Sequence, residues 1–178
     1  MHFEITSIDK CYVINHDIHL DERGKFSRIF SRDEFSLYGL HQDFPQLNWS
    51  FNKSKFTLRG MHYQDEETNE HKIITCIAGQ IQLVMIDLRK NSRSYLSIIS
   101  MVLNYNDTKS IFIPCGVATG WLTLKNQTSI LYQMGSNYNP SRSKNFSYKD
   151  PLLNFPWLEN PKIISKKDEG AENYCVSS

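Results

Sequence analysis

The sequence lacks what would place a chain in a membrane or on nucleic acid. Its apolar runs stop far short of the roughly 20 residues that a membrane span needs. Its 20 Lys and Arg stand against 19 Asp and Glu, so the net charge of +1 offers no electrostatic footprint for a polyanion. No basic run is long enough to supply one locally. The opening MHFEITSIDKCYVI has no apolar h-region, so no secretion signal is expected. Cys11, Cys76, Cys115 and Cys175 are scattered, without a C-x-x-C pair. In a chain without a leader they read as reduced thiols rather than a disulfide framework or a zinc site. A cytoplasmic protein is the expectation. Helical signal is scarce too. SRDEFSLYGL is the clearest case, with Ser31 and Glu34 spaced as a capping box and Gly39 as the stop. A second helical turn is expected at Ser165.

What the chain does have is strand signal. Its 178 residues suit one domain, 1–178, with a short polar C-terminal extension. Ten Phe and nine Tyr favour sheet. KIITCIA, IQLVMIDL, YLSIISMVL, SIFIP, ATGWLTL and SILYQM are short β-branched or aromatic runs. Turn signals such as Ala78-Gly79-Gln80 and Pro114-Cys115-Gly116 separate them. Many short strands with few helices predict an all-β sandwich or barrel. IQLVMIDL is apolar on both faces, so it should be covered on both sides.

The segment FTLRGMHYQ sets Arg59 and His62 three residues apart in a strand-like run. A packed histidine with one hydrogen bond is the plainest account of His62. Metal binding would call for a second histidine two residues on, where Gln64 stands, and for a well-spaced carboxylate. Asp65, Glu66, Glu67 and Glu70 follow in a polar loop without that spacing. Acid–base chemistry would need an orienting group and an acid opposite. Lys72, Tyr132 and Asp168 are candidates. Each has an ordinary alternative: a snorkelling lysine, a core tyrosine, and an S-x-x-D helix cap from Ser165. Spacing alone does not join these residues.

TLRGMHYQ, together with DERGKF, FPQLNWS, HKIITCIAGQIQLVMIDLRKNSRSY, IFIPCGVATGWLTL, LYQMGSNYNP and the tail stretches DPLLNFPW and IISKKDEGA, resembles the dTDP-4-dehydrorhamnose 3,5-epimerase family in the same order along the chain. The resemblance implies a cupin-type jelly roll, a homodimer, no metal, no cofactor, and a nucleotide-linked 4-keto-6-deoxy sugar as substrate. By that resemblance His62 would be the base, Asp168 its orienting partner, Lys72 the donor to the enolate oxygen and Tyr132 the acid on the opposite face. Arg59 would hold the substrate and its diphosphate, with Gln46 and Asn48 as polar contacts. Tyr138 would line the nucleotide end. Arg23 and Phe26 would arrive from the partner subunit. The implied activity is inversion at C3, C5 or both, in polysaccharide or deoxysugar biosynthesis. A 3,4-ketoisomerase and a non-catalytic sugar-nucleotide binding module are the alternatives.

Four positions depart from the family pattern. Thr119 stands where the family has histidine, Arg28 where it has glutamate near the base, Asn145 where it has glycine, and Tyr148 where tryptophan is common. All four fall around substrate recognition, and none is His62, Lys72, Tyr132 or Asp168. The expectation is retained deprotonation chemistry on a substrate other than the ordinary rhamnose precursor, with the sugar open and the nucleotide left among dTDP, CDP and GDP.

Overall fold

The computed structural model describes residues 1–64 and 68–175. Asp65, Glu66 and Glu67 therefore lie outside the described residues. Among those described, thirteen strands and two short helices build the fold. In chain order the strands are β1 (His2–Ile5), β2 (Tyr12–Asn15), β3 (His19–Asp21), β4 (Gly24–Phe26), β5 (Gln46–Asn52), β6 (Leu58–Gln64) and β7 (Lys72–Ala78). They continue with β8 (Gln80–Asp87), β9 (Ile98–Asn104), β10 (Lys109–Ile113), β11 (Val117–Thr123), β12 (Thr128–Met134) and β13 (Ser143–Asn145). The helices are α1 (Arg32–Leu37) and α2 (Lys166–Glu169). No helix among the described residues is long and apolar enough to cross a membrane.

Two antiparallel sheets face each other. One runs β1-β2-β10-β7-β12-β5 and the other β13-β6-β11-β8-β9. This is the jelly-roll architecture that the family resemblance implies, and it falls within the sandwich or barrel class that the strand-rich sequence predicts. The inward faces interlock in one cluster: Ile74, Ile111 and Ile130 from the first sheet meet Ile81, Leu83, Met85 and Trp121 from the second. The doubly apolar strand β8 now has its reason. Leu83 and Met85 point into the sandwich, while Val84 and Ile86 point outward beneath Phe146 and Phe155 of the C-terminal segment. The outer face of the other sheet is closed by Phe35 of α1 against Ile73 and Phe112.

Helix α1 forms where SRDEFSLYGL places it, but without the expected capping box. The Ser31 side chain makes no capping hydrogen bond. Glu34 instead accepts from the N-terminal ammonium of Met1 at 2.6 Å, an ionic partner that outcompetes a backbone N–H. Gly39 does follow the helix in the left-handed region, at φ +63°. Strands β3 and β4 pair only with each other, as an exposed hairpin.

Candidate active site

The site begins with an irregularity in β6. Residues three apart on a regular strand point to opposite faces. Thr119 and Trp121 of β11, two apart, lie opposite His62 and Arg59 respectively, and the register shifts between them. Gly60 and Met61 together therefore face Gly120 alone. This bulge turns Arg59 and His62 to the same side. Gly60 makes it possible. Its φ is +131°, and a Cβ there would lie 2.5 Å from the Gly120 Cα.

His62 then opens into a cavity of about 310 Å³ between the two sheets. Its Nε2 lies 2.7 Å from Asp168 Oδ1, with Asp168 almost wholly buried. Asp168 is delivered by α2, where Ser165 Oγ accepts from the Asp168 N–H at 3.1 Å. The S-x-x-D spacing is thus a cap, but through the backbone, which leaves the Asp168 carboxylate free for the site. Burial pushes that carboxyl up. The His62 hydrogen bond and charge, the Gly60 N–H and Ser165 overcome this and hold it below the usual carboxylate range. An ionised carboxylate can only accept, so His62 Nε2 is the donor to it, and in the neutral ring Nδ1 is the nitrogen with the lone pair. Asn145, one of the departures, lies opposite His62 on β13 and donates from Nδ2 to the Lys167 carbonyl at 3.2 Å, tying α2 to the sheet.

The other sheet supplies the opposite wall. Lys72, Tyr132, Gln46 and Asn48 all line the cavity. Their strands are neighbours, and Tyr132 lies in register with Asn48. Tyr132 packs on Trp121 at 5.7 Å between ring centroids. Burial raises its pKa, against the nearby charge of Arg59, so it remains a phenol at neutral pH. Gln46 donates to Asn48 at 2.9 Å and accepts from the Tyr138 N–H at 3.0 Å, placing Tyr138 at the cavity edge. Thr119 lines it from β11. Arg59 lies in an adjoining depression with His62 and Asp168, its Nε donating to Asn52 at 3.0 Å.

Lys72 does not snorkel. It is buried, and its Nζ lies 3.1 Å from Glu70 Oε1. The other Glu70 oxygen accepts from Gln64 Nε2. Glu70, Gln64 and Lys167 line the cavity, and the sequence reading gave none of them a role. For Glu70, the signal was its position two before Lys72 at the entry to an apolar strand.

Arg23, Phe26 and Arg28 are not brought to this cavity. Arg23 pairs with Asp21 at 2.5 Å on the β3–β4 hairpin, and Phe26 is 67% exposed there. Arg28 lies 3.7 Å from Glu34.

A jelly roll that sets a carboxylate-backed histidine on one sheet against a half-buried tyrosine on the other places this chain in the cupin-type class. Residues 5–175 match the model of the dTDP-4-dehydrorhamnose 3,5-epimerase family. The curated dTDP-4-dehydrorhamnose 3,5-epimerase of Methanothermobacter thermautotrophicus is 33% identical over 166 residues, 92% of this chain and 89% of that one. Among solved structures, the Bacillus anthracis dTDP-4-dehydrorhamnose 3,5-epimerase with TDP and PPi bound superposes with a TM-score of 0.93 at 25% identity, covering 97% of this chain and 99% of that one. The Legionella pneumophila enzyme in complex with dTDP-4-keto-L-rhamnose gives 0.88 at 29% identity, covering 97% and 92%. This chain belongs to the dTDP-4-dehydrorhamnose 3,5-epimerase family and is an isomerase of the carbohydrate-epimerase type.

Proposed function

We propose that this protein inverts one or both carbons beside the ketone of a thymidine-diphosphate-linked 4-keto-6-deoxy sugar, in deoxysugar biosynthesis. The observation that carries the proposal is the His62–Asp168 pair at 2.7 Å, in a cavity that Tyr132 lines from the facing sheet. A ketone acidifies its neighbouring C–H bonds, so a base of near-neutral strength suffices once the enolate oxygen is stabilised. His62 Nδ1 takes the proton. Asp168 fixes the tautomer and stabilises the imidazolium. Lys72 donates to the oxygen as negative charge develops there, and this interaction is stronger in the transition state than in the ground state. Tyr132, kept protonated by burial, returns a proton to the opposite face. Inversion follows because acid and base stand on different sheets. Arg59 grips the diphosphate through its planar fork.

The thymidine reading rests on the family and on the TDP held by the Bacillus anthracis relative. The working assembly is a homodimer. Leu47, Trp49 and Phe51 form an exposed apolar row on edge strand β5, at 63%, 68% and 51% exposure. Arg23 and Phe26, too far out to serve their own cavity, would serve the partner's. Product analysis by NMR across thymidine-, cytidine- and guanosine-linked 4-keto-6-deoxy sugars tests the substrate. Inversion of the thymidine compound is the expected result. A product with the ketone moved to C3 would show a ketoisomerase instead, and binding without turnover would show a non-catalytic module.

A further inference from the structure

Gln64, Glu70 and Lys72 form a buried chain of polar contacts that crosses from one sheet to the other. Gln64 lies two residues beyond His62 on β6, and Lys72 opens β7 in the facing sheet. Glu70 sits between them, with one carboxylate oxygen on the Lys72 ammonium at 3.1 Å and the other on the Gln64 amide. The three side chains are almost wholly buried. An ionised carboxylate only accepts, so the Gln64 amide nitrogen rather than its oxygen is held on Glu70, and among the described residues the buried Gln64 Oε1 has no hydrogen-bond partner.

A lysine is a flexible point charge with four rotatable carbons. Free in a cavity, it would sample many positions, few of them in line with a developing oxyanion. A bond to an immobile carboxylate removes that freedom. It also offsets positive charge in the cavity. When His62 takes its proton, it becomes a cation in a site that already holds Lys72, with Arg59 beside it and Lys167 on the wall. Asp168 answers one of these charges and Glu70 a second.

We propose that Glu70 is the positioning residue for the oxyanion donor: it aims Lys72, and Gln64 locks Glu70 to the strand that carries the base. The strut thereby fixes the separation of base and donor across the two sheets. Gln64, which takes the place of a second metal ligand after His62, is a structural member of this strut. The inference rests on the roles proposed above for His62 and Lys72.

The test measures solvent deuterium exchange into a thymidine-linked 4-keto-6-deoxy sugar for the wild type, Lys72→Gln, Glu70→Gln and the double variant, alongside TDP affinity and thermal melting. Exchange by the wild type and its large fall, to a residual measurable rate, in Lys72→Gln establish the underlying roles; if either fails, the proposed chemistry fails and not merely the strut. Given both, Glu70→Gln should lower kcat about ten- to a hundredfold, the usual size of losing a residue that orients a reacting group. TDP affinity should stay within about twofold. In the Lys72→Gln background, Glu70→Gln should cost nothing further, because Glu70 acts through Lys72. Should Glu70→Gln fail to fold, Gln64→Met keeps the ion pair and frees only one carboxylate oxygen; it should slow exchange several-fold with Lys72 present and not without it. Wild-type kcat in a folded Glu70→Gln, or in Gln64→Met if Glu70→Gln does not fold, would overturn the proposal. So would an equal loss with and without Lys72.

Discussion

Asp168→Asn isolates the electrostatic half of the proposed base. The side chain keeps its shape and can still accept from His62 Nε2, but its charge is gone. The contact is 2.7 Å between heavy atoms, so the charge centres stand about 4 Å apart. At an effective dielectric of about 20, that separation is worth about 4 kcal/mol to the imidazolium. His62 is 40% exposed, so solvent screens part of this and roughly 2–3 kcal/mol is the realistic share. At about 1.4 kcal/mol per decade, kcat for exchange should fall about thirty- to a hundred-and-fiftyfold. The assay is deuterium wash-in from heavy water with a thymidine-linked 4-keto-6-deoxy sugar at saturation, with TDP affinity measured in parallel. A folded Asp168→Asn that exchanges at the wild-type rate would refute the reasoning, because the imidazolium would then owe nothing to the carboxylate.

Tyr132→Phe should still exchange substrate hydrogens through His62, yet lose at least about a hundredfold in the rate of inverted product, as read by NMR. Gly60→Ala forces a side chain to φ +131° and into the backbone at Gly120, so urea unfolding should show a loss of about 2–4 kcal/mol together with impaired exchange. Asp168 and Asp87 both have lowered folded-state pKa values. Their contribution to stability is therefore fully present above the unfolded aspartate value of about 3.9 and is lost as pH falls through the lower folded values, so urea midpoints should hold from pH 7 to about 5 and drop below about 4. On the proposed homodimer, Trp49→Glu should shift sedimentation from dimer to monomer and weaken TDP binding, because the partner's hairpin would then leave the site.

Much of the fold was legible because its signal is local. β-branched runs between glycine turns gave the strands from β7 to β12, and the two-faced apolarity of β8 foretold cover on both sides, which Phe146 and Phe155 supply. The capping box at Ser31 misled because the competitor for Glu34, the N-terminal ammonium, lies 33 residues away in sequence. The site was legible as residue types but not as a constellation. His62 and Asp168 are separated by 106 positions, and no periodicity joins them; only the family resemblance did. The Arg59–His62 spacing looked wrong for one face of a strand until the bulge at Gly60 put it right. A glycine inside an otherwise strand-like run was the visible trace of that bulge. Glu70 read as one acid in a polar loop, because its bond to Gln64 requires β6 and β7 to stand on facing sheets.

The central claim is that His62 removes a proton from carbon beside a sugar ketone. The most direct measurement is mass and NMR detection of deuterium in a thymidine-linked 4-keto-6-deoxy sugar incubated in heavy water with the wild type and with folded His62→Asn. The wild type should place deuterium on one or both carbons flanking the ketone, and His62→Asn should place none above background. Equal incorporation by the two proteins would contradict the account, as would a wild type that labels none of the thymidine-, cytidine- and guanosine-linked substrates.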